Sequence, residues 1–120
     1  PAVLRTADLV VARSGAMTIA ELTACGKAAV LIPLPIAIYD HQTKNARAME
    51  AEGGAIVLSQ ANLNGAKLVE TIVAIVSNSE RLHAMQEHSL AMRRSDAAEV
   101  IVRECYALMN ETQETIKLEK

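Results

Sequence analysis

Residues 7–26, ADLVVARSGAMTIAELTACG, decide the fold: a short apolar run stops at Arg13-Ser14-Gly15 and the chain restarts at once with helical periodicity. The run Leu9–Ala12 is apolar without alternation, which reads as a parallel strand covered on both faces. Gly26, followed by Lys27, ends the helix as a glycine just past a C-terminus does. Within the helix, Gly15, Ile19 and Leu22 recur on one apolar stripe, and Ser14, Thr18 and Glu21 keep the same spacing on a neighbouring face.

A strand that ends in such a turn and opens a helix is a place for an anion. The free N–H groups and positive dipole end near Ala16 and Met17 favour negative charge by roughly 0.3–1 kcal/mol when exposed, which suits a phosphate. Glu21 lies more than a turn further in, where a carboxylate facing phosphate would be repelled. A vicinal diol fits it better, because a carboxylate only accepts hydrogen bonds and hydroxyls donate them. Phosphate at the helix start and a diol-reading acid beyond it together describe a nucleotide. The same spacing also fits a Ser N-cap, a Thr bonded within its own helix and a solvated Glu, and spacing alone does not choose.

Composition narrows the field. The chain has 120 residues, 51% of them hydrophobic, with neither Phe nor Trp and only Tyr39 and Tyr106 as aromatics. That is one domain with an aliphatic core. A net charge of −2 and the scarcity of aromatic rings argue against a nucleic-acid partner. The longest apolar run, residues 28–39, is interrupted by Pro33 and Pro35 and is too short to cross a bilayer. No secretory leader pattern opens the sequence. Cys25 and Cys105 fit neither a metal nor a redox spacing and read as reduced packing residues of a cytoplasmic protein.

Onward from Gly26 the order is strand and helix in alternation. Residues 28–32 make a second strand, residues 33–39 a loop, Asp40 a helix cap, residues 41–52 a helix closed by Gly53-Gly54, and residues 55–58 a third strand. Crossovers of this length imply parallel pairing. From Asn64 on, Leu68, Ile72 and Ile75 form one helical stripe, and Leu82, Met85 and Met92 another. Ser95, Asp96 and Glu99 open a last helix with Ala98, Ile101, Cys105 and Leu108 facing inward, before a polar tail over residues 110–120. Residues 1–6 read as the end of a preceding helix. Three strands are few for so many helices, so the expected fold class is α/β, part of a Rossmann-like parallel sheet with flanking helices whose missing strands lie upstream.

A second polar cluster, DHQTKNA at residues 40–46, follows the second strand as Arg-Ser-Gly follows the first, so two helix starts frame one crevice. Gln42 and Asn45 share a helix face, and their amides both donate and accept, as a sugar ring requires. The plainer alternative makes Asp40 a cap, leaves Gln42 and Lys44 solvated and bonds Asn45 to a loop. His41 has the side chain suited to proton transfer near neutral pH, yet no nucleophile stands beside it in sequence. His83 and His88 are off a common helix face and read as surface residues. The Gly26-Lys27 pair lacks the remainder of a phosphate-binding loop motif, and no carboxylate cluster suits a divalent metal.

Taken together, ADLVVARSGAMTIAELTACGKAAVLIPLP and DHQTKNARAMEAEGGA closely resemble the C-terminal domain of glycosyltransferase family 28, the family of the bacterial peptidoglycan N-acetylglucosaminyltransferases. The resemblance extends to the DAAEVI segment at residues 96–101. It implies the C-terminal half of a GT-B enzyme, over residues 1–109, that binds UDP-N-acetylglucosamine and needs no cofactor and no metal. Glu21 matches the acid that holds the ribose diol, and the Ala16 N–H a contact to the sugar 4-hydroxyl. Gln42 matches a residue on the sugar hydroxyls, while Ser14, Gly15 and Thr18 line the diphosphate side. Met17, His41 and Asn45 complete the expected substrate-binding set. Arg13 matches a position near the phosphates, where it would stabilise the leaving group or support the loop.

The implied reaction is an inverting transfer of N-acetylglucosamine to the lipid-linked muramoyl-pentapeptide known as lipid I, giving lipid II. The catalytic base and acceptor site are expected in an N-terminal domain outside this sequence, so the chain alone would be inactive. The full-length protein would lie peripherally on the cytoplasmic face of the membrane. Other readings are a different GT-B glycolipid transferase, against which the Asp-His-Gln segment argues, and a UDP-sugar-binding accessory module without catalysis.

Overall fold

The computed structural model describes residues 6–35, 40–93 and Arg103. The expected segments at residues 1–5, 36–39, 94–102 and 104–120, which include the last helix and the tail, lie outside the described residues. The elements run β1 (Leu9–Ala12), α1 (Ala16–Ala24), β2 (Ala28–Leu31), α2 (Asp40–Ala51), β3 (Ala55–Val57), a short 3-10 turn (Gln60–Asn62), α3 (Gly65–Val76) and α4 (Ser79–Met92). The three strands form one parallel sheet in the order β1-β2-β3, with Val10 opposite Ala29 and Val30 opposite Ile56. The α/β architecture and strand positions follow the sequence reading, with end residues shifted by one.

Alternation in β2 builds the core. Ala29 and Leu31 face one side and pack with Ile19 and Leu22 of α1 and Ala46 and Met49 of α2. Ala28 and Val30 face the other and pack with Ile75 of α3 and Met85 of α4. All four β2 residues are fully buried, which is why this strand tolerates no polar residue on either face.

The edge strands differ. The outward N–H of Val57 on β3 donates to Glu50 Oε2 at 2.9 Å, and the other oxygen of that carboxylate pairs with Arg47 at 2.8 Å. An acid on α2 therefore closes this edge. Among the described residues strand β1 has a strand neighbour on one side only, and Val11 is 42% exposed. The expectation that β1 is covered on both faces is thus not met: α3 and α4 shield the centre of that face and leave Val11 open.

Two helix ends are built alike. Gly26 has φ +64°, its N–H donates to Thr23 O, and the N–H of Lys27 returns to Leu22 O at 2.9 Å. Gly53 has φ +89°, its N–H donates to Glu50 O, and the N–H of Gly54 returns to Met49 O at 3.1 Å. Each is the paired closing of a helix around a left-handed glycine. The last two turns of α4 lie across both: Leu90 sits against Gly26, His88 against Gly53 and Ser89 against Gly54. Met92 of α4 reaches the α1–α2 cluster while Met85 belongs to the other. The helix thus seals the edge from which β2 and β3 start. Cys25, expected to pack, is a free and exposed cysteine, because it is the C-cap of α1, one position past the helix's last residue Ala24 and beyond its buried stripe. His83 is exposed and pairs with Glu87 at 3.1 Å, and His88 is also exposed.

Candidate functional site: the crevice at the strand ends

The opposite edge, where the strands finish, brings together Arg13-Ser14-Gly15, the segment Ile32-Pro33-Leu34 and the start of α2. Gly15 is the N-cap of α1, with extended backbone (φ −62°, ψ 153°), and no side chain caps the helix. It therefore stands just outside the helix whose stripe it was expected to begin. Ser14 is fully buried, and its hydroxyl donates to the carbonyl of Gln42 at 2.8 Å. A serine placed to cap its own helix instead ties the two helix starts together, and among the described residues the first-turn amides of α1 keep no side-chain acceptor.

Around that start, Ala16 is buried, Thr18 half-buried and Met17 58% exposed. Glu21 lies on the exposed surface of α1, five residues beyond Ala16 and so about 7.5 Å along the axis at 1.5 Å per residue. It does not enter either apolar cluster.

On α2, Gln42 is 8% exposed and its Oε1 accepts from the Leu34 N–H at 3.1 Å. That bond fixes the loop after β2 and leaves the Gln42 NH₂ as the end able to donate elsewhere. Asn45, one turn on, is 3% exposed, and its Nδ2 is buried with no hydrogen-bond partner among the described residues. A buried amide donor without an acceptor costs about 1–3 kcal/mol, so this one calls for an explanation. His41 is half-buried in the first turn.

Arg13 behaves as a strap. Its Nη1 donates to Ile32 O at 3.2 Å and also to Gln60 Oε1, spanning the ends of β1, β2 and the turn after β3. Gln60 is a residue that sequence reasoning did not single out. The available signal was positional: it follows the third strand as Arg13 follows the first. Among the described residues no group of three or more His, Cys, Asp or Glu could hold a metal ion, and no helix is long and apolar enough to cross a membrane.

The parallel α/β fold is that of a glycosyltransferase domain. Residues 1–101 match the glycosyltransferase family 28 C-terminal domain, and the chain belongs to that family. It is 44% identical over 106 residues to the UDP-N-acetylglucosamine--N-acetylmuramyl-(pentapeptide) pyrophosphoryl-undecaprenol N-acetylglucosamine transferase of Myxococcus xanthus, covering 88% of this chain and 28% of that protein. The protein of the same name from Geobacter metallireducens is 46% identical over 100 residues, covering 83% and 28%. The crystal structure of MurG from Acinetobacter baumannii superposes with a TM-score of 0.65 at 32% identity, over 81% of this chain and 28% of that one. The chain thus spans little more than a quarter of these relatives.

Proposed function

We propose that this chain is the donor-binding part of an inverting transferase that moves N-acetylglucosamine from UDP to the muramoyl sugar of an undecaprenyl-diphosphate-linked pentapeptide. The observation that carries the reading is the open start of α1: Gly15 caps it, Ser14 is turned away to Gln42, and the first-turn amides meet no acceptor side chain among the described residues. A diphosphate placed there gains the helix dipole and those N–H groups. Glu21, exposed beyond it, accepts the ribose hydroxyls. The NH₂ groups of Gln42 and Asn45 donate to the sugar hydroxyls, and the sugar supplies the acceptor that Asn45 Nδ2 lacks among the described residues.

In the reaction, the acceptor 4-hydroxyl oxygen bonds to the anomeric carbon as the bond from that carbon to the UDP oxygen breaks. Configuration inverts and UDP departs with the electron pair. The hydroxyl proton goes to a base outside this chain. What these residues contribute is orientation of the donor and stabilisation of the charge that grows on the diphosphate. The three Arg13 N–H donors beyond those on Ile32 and Gln60 add to that field. The acceptor, the acceptor-side domain and a peripheral position at the cytoplasmic membrane face belong to the full-length protein.

Calorimetric titration of the full-length protein with UDP-N-acetylglucosamine, UDP-glucose, UDP and 2′-deoxy-UDP tests the reading. UDP-N-acetylglucosamine is expected to bind most tightly and 2′-deoxy-UDP more weakly than UDP. Equal affinity for the last two removes the role of Glu21.

A further inference from the structure

We infer that Gln60 is a positioning residue for the donor site, acting through Arg13. The inference rests on the donor-site reading above and adds to it a residue from the far side of the sheet edge. Arg13 immediately precedes the Ser14-Gly15 turn, and its guanidinium ties the end of β1 to the segments that follow β2 and β3. The structure supplies two acceptors to one nitrogen: Ile32 O at the end of β2, and Gln60 Oε1 at the head of the 3-10 turn after β3.

Nη1 carries two N–H bonds, so both are committed, and the rigid guanidinium plane is fixed by them. The carbonyl of Ile32 is part of the backbone and cannot be lost by substitution. Gln60 is the replaceable half of the anchor, and it is exposed, 47 residues away in sequence. Its side chain contributes to neither apolar cluster. Its removal is therefore expected to loosen the Arg-Ser-Gly turn without unfolding the domain.

The test compares UDP affinity and thermal midpoint in the full-length protein for wild type, Gln60→Leu, Gln60→Glu, Arg13→Lys and the Gln60→Leu/Arg13→Lys double variant, with Glu21→Ala as the reference for the donor site. Gln60→Leu is expected to weaken UDP binding roughly three- to tenfold, the scale of one lost hydrogen bond, with the midpoint unmoved. Gln60→Glu keeps an acceptor for the guanidinium and is expected to bind within about twofold of wild type. The double variant is expected to bind no worse than Arg13→Lys alone, as residues acting in series do.

If Gln60→Leu binds UDP like wild type while Glu21→Ala binds it more weakly, the positioning role is wrong and the donor site stands. If Gln60→Leu loses affinity and Gln60→Glu fails to restore it, or the midpoint falls in step, the effect is general destabilisation and the inference is overturned. If wild type does not bind UDP, or Glu21→Ala binds it equally, the donor-site reading falls and this inference with it.

Discussion

The Ser14 hydroxyl donates to the Gln42 carbonyl across 2.8 Å in the fully buried seam between α1 and α2. One small side chain thereby sets the distance between two helix starts that are 28 residues apart. Ser14→Ala is expected to lower stability by about 1 kcal/mol, the net value of such a bond, and to weaken binding of UDP-N-acetylglucosamine more than binding of UDP, because the α2 residues shift relative to α1. Denaturant titration and calorimetry on the same samples check both effects.

Glu21 separates binding from stability. It is exposed and outside both clusters, so Glu21→Ala is expected to change unfolding free energy by less than about 0.5 kcal/mol. UDP affinity is expected to fall by about 1.5–3 kcal/mol, the range for hydrogen bonds to a charged acceptor. The variant should also bind UDP and 2′-deoxy-UDP alike, where wild type distinguishes them.

Asn45 is expected to show the opposite sign in the two measurements. Its Nδ2 is buried and unpartnered among the described residues, so Asn45→Leu, similar in size and without a donor, is expected to leave the ligand-free protein as stable as wild type or slightly more so. Affinity for UDP-N-acetylglucosamine is expected to drop while that for UDP alone holds. A large loss of stability would show that the amide has a structural role.

At the other edge, Gly53→Ala is expected to cost well over 1 kcal/mol. The residue has φ +89°, and an added Cβ would stand 2.5 Å from His88 Nδ1. Removing the ring in a Gly53→Ala/His88→Ala double variant is expected to recover the steric part and leave the backbone part, which a thermodynamic cycle from chemical denaturation resolves. Gly26→Ala, with φ +64° and Leu90 Cβ at 3.1 Å, should keep most of its cost in a Leu90→Ala background, because alanine retains the contacting Cβ.

Much of this architecture was legible in the residues. The strand-turn-helix at residues 7–26 and its repetition at residues 28–51 fix a parallel α/β sheet, and Gly26 and Gly53 announce their helix ends because a left-handed conformation is costly for other residues. What stayed hidden depends on what comes close from elsewhere in the chain. Periodicity identifies a buried face but not its cover, so β1 read as enclosed although Val11 is open. Local rules favour Ser14 as the cap of its own helix, yet a partner 28 residues away takes its hydroxyl. The Arg13–Gln60 bond joins residues 47 apart, a separation at which no local pattern constrains pairing. Cys25 was misjudged for a simpler reason: at a helix end, one residue decides between core and surface.

The paired glycine turns under α4 have a practical consequence for anyone remaking this domain. The two glycine closings gather at the starts of β2 and β3, and the proposed donor groups at the strand finishes, with the length of the strands between them. Libraries that keep Ser14 and randomise the rest of the crevice can therefore be screened for altered donor preference on a scaffold whose glycine closings are left untouched.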